Sequence, residues 1–308
     1  MRSVLWAAIG GLLLVGAGCE RKAAAPPLGI DAGLAAMVPR EATVLAGFRM
    51  DRIRKSPLYE KYFKNRLPVG GETAKEMMQF QEQIDEVLAA MTGKDTLVLA
   101  RGRLDRAAIE AKLRSAKVEE AVIGGHKGFT KDKIALVLLD GGVALAGPRE
   151  QVEDALSRAG KIVALPARFF NPSRTIPAES SVWVISVGRL PAFNVPERSN
   201  LANLPRLMEN VELATANADL SDGVKFSAAA TCTTEDDAKQ IQTLFRGLIG
   251  MARLSTPNDK PELLKVFDRI ELKQTSRNVE VNANLPVEVI ETVGNAFGMR
   301  RPHLGLAP

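Results

Sequence analysis

Alternating and unbroken runs of apolar residues predict strands in both halves of the chain. In the first half, ATVLAGFRM (42–50), TLVLARG (96–102) and KIALVLLDGGVALAG (133–147) are short, apolar segments bounded by Gly or charged residues. In the second half, SSVWVISVG (180–188) and NVEVNANL (278–285) have the same character. Such runs are typical of sheet strands. The run at 133–147 is interrupted by Asp-Gly-Gly, so it predicts a hairpin.

Apolar positions spaced by three or four residues predict a helix over 73–91. Thr73 and Glu76 have the spacing of a capping box at its start. The expected apolar stripe consists of Met77, Phe80, Ile84, Val87 and Met91.

Three further segments have helical patterns. Residues 105–113 place Ile109 and Leu113 on one face, and Pro148 is suited to the first position of a helix that follows it. A long helix is expected from about Glu235 to Ala252, since Thr234 and Asp237 have the spacing of a capping box and an apolar stripe follows. Hairpins mixed with helices predict an α+β fold with a mainly antiparallel sheet and helices packed on one face.

A weak internal repeat divides the chain. VPREATV (38–44) and IPAESSV (176–182) share a hydrophobic-Pro-x-Glu-x-x-Val frame, displaced by 138 positions. PREQVEDALSRA (148–159) and PVEVIETVGNAF (286–297) align at the same displacement. We therefore expect two similar α+β repeats, at 38–170 and 171–298.

The two predicted halves differ in how their strands alternate. NVEVNANL places apolar and polar side chains on opposite faces, so one face of that sheet should meet water. The strands of the first half are apolar on both faces. Two explanations remain open: a helix or the other half covers the second face, or that face forms a groove for a ligand or partner.

The first 22 residues have the pattern of an export signal. Arg2 supplies a positive charge, residues 3–18 carry none, and Glu20, Arg21 and Lys22 end the apolar run. Sixteen uncharged residues are fewer than the roughly 20 that cross a bilayer as a helix. Residues 1–18 are therefore expected to be a cleaved signal peptide.

The end of this segment, Val15-Gly16-Ala17-Gly18-Cys19, resembles the lipobox of bacterial lipoproteins. The resemblance implies cleavage before Cys19, lipidation of its thiol and a periplasmic or outer location on a membrane. Two or three acyl chains anchor a protein durably. Glu20 stands where lipoproteins retained in the inner membrane often carry Asp, so the resemblance favours the outer membrane. Residues 19–37 are expected to be a lipid-anchored flexible tether, and 299–308 a basic tail.

The second cysteine, Cys232, ends the predicted strand VKFSAAATC (224–232). Alternation places it on the same face as Val224, Phe226, Ala228 and Ala230, so we expect a small buried hydrophobe. A reactive thiolate would need an exposed, electropositive setting. With Cys19 acylated, no disulfide is expected.

One basic segment, residues 49–66, contains seven basic and two acidic residues, which equals the net charge of +5. It is a candidate contact for an anionic component of the envelope, such as a lipid headgroup. The alternative is a solvated amphipathic helix with Leu58 and Tyr62 inward. No nucleic-acid recognition module is present, so nucleic acid is not an expected partner. The candidate contact residues are Arg49, Arg52, Arg54, Lys55, Tyr59, Lys61, Tyr62, Lys64 and Arg66.

Catalytic and metal-binding motifs are weak. The two histidines, His126 and His303, and the two cysteines lack zinc-site spacing, and no cofactor is expected. Residues 217–223 lack the glycine of a calcium loop and fit a hairpin turn. A His126–Cys232 pair would need both residues at one cleft. Three functions remain: a non-catalytic membrane-tethered binding or scaffold protein, a carrier for apolar cargo, and a hydrolase with an unfamiliar site.

Overall fold

The structure is a computed structural model that describes residues 28–59, 62, 82–161, 164–188, 206, 208–256 and 263–296. The strands are β1 Val44–Arg49, β2 Ile84–Thr92, β3 Asp95–Gly102, β4 Glu119–Ile123, β5 His126–Lys131, β6 Ile134–Leu139, β7 Val143–Pro148, β8 Val182–Val187, β9 Val211–Asp219, β10 Val224–Cys232, β11 Ile270–Thr275 and β12 Asn278–Leu285. The helices are α1 Ala32–Met37, α2 Met50–Lys55, α3 Arg106–Ser115, α4 Arg149–Arg158, α5 Ala167–Ser173, α6 Glu235–Leu254, α7 Leu264–Phe267 and α8 Val287–Ala296.

The twelve strands form a single sheet in the order β11-β12-β10-β9-β8-β1-β2-β3-β7-β6-β5-β4. Every neighbouring pair is antiparallel. The predicted α+β class is therefore confirmed. In the part of the chain that the structure describes, no helix combines the length and apolar character needed to cross a bilayer.

The sheet repeats the same arrangement on both sides of the β1–β8 pair. Reading outward, β1-β2-β3-β7-β6 on one side corresponds to β8-β9-β10-β12-β11 on the other. The starts of β1 and β8 differ by 138 positions, as do those of α4 and α8. At the centre Ala46 pairs with Val184, and these two residues also differ by 138. The halves are thus related by an approximate two-fold axis through that pair, and the β4–β5 hairpin extends the first half.

Helices cover both faces of the first half, where the sequence predicted one covered face. Val152 and Leu156 of α4 pack with Val137 of β6, whereas Ile109 of α3 packs with the neighbouring Leu138. Because adjacent strand residues point to opposite faces, α3 and α4 lie on opposite sides of the sheet. Helices therefore cover the second apolar face of these strands, which is the first of the two explanations considered from the sequence.

The predicted flexible tether is wrong from Leu28 onward. Leu28 and Leu34 are buried in the main core, and Asp31 caps α1 by accepting a hydrogen bond from the Leu34 amide at 3.0 Å. The Asp31 carboxylate also lies 3.0 Å from the Arg101 guanidinium of β3. Helix α1 is too short for its sequence to show a helical period of apolar residues. Its small side chains nevertheless allow it to pack closely on the sheet. The segment from Leu28 to Met37 is therefore part of the folded body.

The helix predicted over 73–91 is wrong from Ile84 onward, because 84–92 form β2 in the middle of the sheet. Leu88 and Ala90 alternate into the core, and β2 pairs along its length with β1 and β3. The apolar positions in this segment are compatible with the period of a helix and with that of a strand. Pairing with the neighbouring strands made the segment a strand. The expected capping residues Thr73 and Glu76 lie outside the described residues.

Candidate apolar binding groove

A groove of about 330 Å³ lies between α6 and the sheet face formed by β8, β9, β10 and β12. Its floor consists of small side chains at alternate strand positions, and Ile241 and Phe245 of α6 form one wall. The volume is within the range of small-molecule sites, roughly 300–1,000 Å³. Among the described residues, none that lines the groove is charged. The alanines of its floor are Ala214, Ala216, Ala228 and Ala230.

At one pair of equivalent positions the second repeat carries smaller side chains than the first. In the first repeat Phe48 of β1 pairs with Val87 of β2. At the corresponding place in the second repeat, Ser186 of β8 pairs with Ala214 of β9. Replacing Phe and Val by Ser and Ala removes volume while the strand pairing stays the same. This pair therefore leaves room under α6, whereas at the central position the second repeat has the larger residue, Val184 in place of Ala46.

The start of α6 is fixed by the capping box that the sequence predicted. The Thr234 hydroxyl accepts from the Asp237 amide, and the Asp237 carboxylate accepts from the Thr234 amide, each at 3.1 Å. Hydrogen bonds from the Thr234 hydroxyl and the Asn210 side chain lower the pKa of Asp237. This cap sets the helix rotation, so that Ile241 and Phe245, one turn apart, both face the groove.

The apolar surface of the groove continues beyond its lining at Phe226. Phe226 lies two residues from Ala228 on the same face of β10 and is exposed. An exposed aromatic residue beside an apolar groove is a feature of binding surfaces rather than of closed core.

The polar lining residues are Ser186 and Thr215. Ser186 is on the face of the floor alanines, since it pairs with Ala214. Thr215 alternates to the opposite face and borders the groove through its backbone. The side-chain surface of the groove is therefore apolar apart from one hydroxyl.

The sequence-predicted basic surface is reduced in the structure, because several of its residues are engaged inside the protein. Arg49 donates to the carbonyl oxygen of Leu28, which holds the N-terminal segment on the sheet. Arg54 donates to the Ile84 carbonyl at 2.5 Å and pairs with Asp85 at 2.9 Å. These two arginines stabilise local structure.

The remaining residues of the basic segment differ in their exposure to solvent. Tyr59 is buried and Tyr62 half-buried, whereas Arg52 is half-buried and Lys55 exposed. Among the described residues, Arg52 and Lys55 remain for a contact with an anionic surface. Cys19, Lys61, Lys64 and Arg66 lie outside the described residues.

Residues that an enzyme could have used are far apart. His126 is exposed in β5, and Cys232 is buried in β10, with seven strands between them. At about 4.8 Å per strand this separation approaches 40 Å. Burial raises the pKa of the Cys232 thiol, as expected for the small hydrophobe that the alternation predicted. Within the described ranges, His, Cys, Asp and Glu form no cluster that could hold a metal ion.

Sequence reasoning did not find the groove. The signal was present in LATANAD (213–219) and FSAAATC (226–232), where alanines alternate along two strands. Small residues on a strand face indicate room only when the neighbouring strands and the covering helix are known.

Comparisons with known proteins give the fold and no family. No family model matches the chain, and no curated protein matches it. Two solved structures, described as crystal forms III and IV of TP0453, each have a TM-score of 0.52 to this chain. Form III is 13% identical, with 85% of this chain and 97% of that chain covered. Form IV is 12% identical, with 84% and 95% covered. The chain therefore has a fold similar to that of TP0453 over most of both lengths.

Proposed function

We propose that the protein is a membrane-tethered, non-catalytic binding protein that holds an apolar ligand between α6 and the sheet. The apolar groove carries this proposal. Hydrophobic contact with its walls supplies the binding free energy, at about 25 cal/mol per Å² of apolar surface removed from water. Scaffolding through the first-half strands gains no comparable support, because helices pack on both faces there.

Lipidation at Cys19, implied by the lipobox-like sequence, would place the groove close to a source of apolar ligand. Nine residue steps separate Cys19 from Leu28, the first described residue of the core. A chain of that length spans at most about 30 Å. The tether of 19 residues expected over 19–37 would have allowed about twice that distance. A lipid on Cys19 thus supports a protein that exchanges apolar molecules with the adjacent bilayer.

A larger side chain on the floor of the groove tests whether ligand binds there. We expect Ala228→Leu to weaken binding of the uncharged dye N-phenyl-1-naphthylamine at least tenfold, measured by fluorescence titration, because the added side chain occupies the floor. Ala229→Leu is the matched control: like Thr215, with which it pairs, Ala229 borders the groove through its backbone, while its side chain alternates to the opposite, exposed face of β10. Equal dye affinity in Ala228→Leu and the wild type would refute ligand binding in the groove.

The anchor is tested separately. Cys19→Ser should move the protein from the membrane to the soluble fraction of its host and abolish incorporation of labelled palmitate. Detergent-dependent membrane association that persists in this variant would contradict the lipid anchor, while leaving the groove experiment unaffected.

A further inference from the structure

Ser186 is an exception among the buried serines of the described residues. Its side chain is 4% exposed, yet its hydroxyl has no hydrogen-bond partner there. The other buried serines are all paired. Their hydrogen bonds join Ser56 to the Leu58 amide, Ser173 to the Phe170 carbonyl, Ser180 to the Asn217 side chain and Ser181 to the Leu220 amide.

An unpaired hydroxyl is unfavourable in an apolar setting. Burying one without a partner costs free energy, so buried polar groups are nearly always satisfied. Ser186 stands where the first repeat has Phe48, so an apolar residue is compatible with this position in the fold. Ser186 borders the groove and its hydroxyl has no partner among the described residues, but the oxygen is covered, so it has to turn about the Cα–Cβ bond to meet a ligand.

We infer that the ligand of this groove is a single alkyl chain bearing an uncharged oxygen, a hydroxyl or an ester carbonyl, that accepts a hydrogen bond from the Ser186 hydroxyl. This inference rests on the proposed function and specifies its ligand. The part of the lining that the structure describes carries no charged residue, which argues against an ionised group at this depth. The volume of about 330 Å³ is at the small end of the range of ligand sites, which suits one alkyl chain rather than several.

The experiment compares three probes of similar length: 1-decanol, methyl decanoate and 1-decanethiol. Each displaces the naphthylamine dye from the wild type and from Ser186→Ala. A thiol has the shape of the alcohol but is a weak hydrogen-bond acceptor. We expect Ser186→Ala to weaken 1-decanol about fivefold, as for the loss of one hydrogen bond, and to leave 1-decanethiol within about twofold. The methyl decanoate arm shows whether an ester carbonyl serves as the acceptor as well as a hydroxyl.

Equal effects of Ser186→Ala on alcohol and thiol, including no effect on either, would overturn the hydrogen bond. Thermal unfolding of the ligand-free variant is a second measurement. The melting temperature should equal or exceed that of the wild type, because an unsatisfied hydroxyl has been removed. A clear decrease would mean that Ser186 is already paired and would also count against the inference. Loss of dye binding in Ala228→Leu, combined with equal probe effects in Ser186→Ala, would retain the groove and reject only its polar contact.

Discussion

Leu34→Ala tests whether the segment before β1 is part of the core. Leu34 lies in α1, is 0% exposed and belongs to the main core cluster, which also includes Leu97 of β3. Truncation to Ala removes buried carbon atoms and leaves a cavity that the surrounding strands fill only in part.

The expected cost follows from that complete burial. Buried Leu→Ala substitutions cost about 2–5 kcal/mol, and we expect about 3 kcal/mol here because α1 is short and its surroundings can partly relax. This is a large share of a typical total stability of about 5–15 kcal/mol. For a protein of this size, with a urea m-value near 3 kcal/mol/M, the unfolding midpoint should fall by about 1 M.

Equilibrium urea unfolding followed by circular dichroism measures this shift. Leu254→Ala is the matched control, since Leu254 is 89% exposed and its truncation should change stability by less than about 0.5 kcal/mol. If the two variants had the same midpoint, the segment from Leu28 would behave as a tether and the assignment of α1 to the core would fail.

Two further predictions concern the sheet. Gly47→Ala should lower the free energy of unfolding by about 1–3 kcal/mol, because a Cβ at that position would lie 2.2 Å from the Trp183 ring and force it to move. Thermal unfolding and a changed tryptophan emission would show this effect. An unchanged melting temperature would contradict it. Burial raises the pKa of Glu86, so the native state holds its proton more tightly than the unfolded state, and this stabilising contribution is lost as pH rises through the raised folded-state pKa. Glu86→Gln should therefore unfold at higher urea than the wild type at pH 7, with the difference vanishing in acid. A less stable variant at pH 7 would show that the hydrogen bond from the Asp31 amide and the attraction of Arg49 and Arg101 outweigh the desolvation of Glu86.

The elements that sequence reasoning identified have strong local signals. The Thr234–Asp237 cap, the hairpin at 221–223 and the alternation of β12 depend on residues within a few positions of one another. The repeat was detectable because two Pro- and Glu-containing frames recur at one displacement. Its arrangement about the Ala46–Val184 pair was not detectable, since strand order depends on long-range pairing.

The errors arose where local patterns fit two structures. The apolar positions of 84–92 suit a helix or a strand, and pairing with β1 and β3 made them a strand. The Ala- and Pro-rich segment before β1 resembles a linker in composition, but small residues also allow a short helix to approach a sheet closely. Arg49 and Arg54 contributed to a basic segment in sequence and became internal hydrogen-bond donors in the fold.

The sequence by itself determined the α+β class, the two repeats, the face on which Cys232 lies and the expectation of a lipid on Cys19. Only the tertiary structure decided that both repeats join in one sheet and that a groove opens in the second. The reason is physical: alternation specifies which way a side chain points, whereas a groove depends on how much volume several distant segments leave between them. Ser186 shows the difference, because its unpaired hydroxyl becomes informative only once the alanines of β9 and the helix above it are in place.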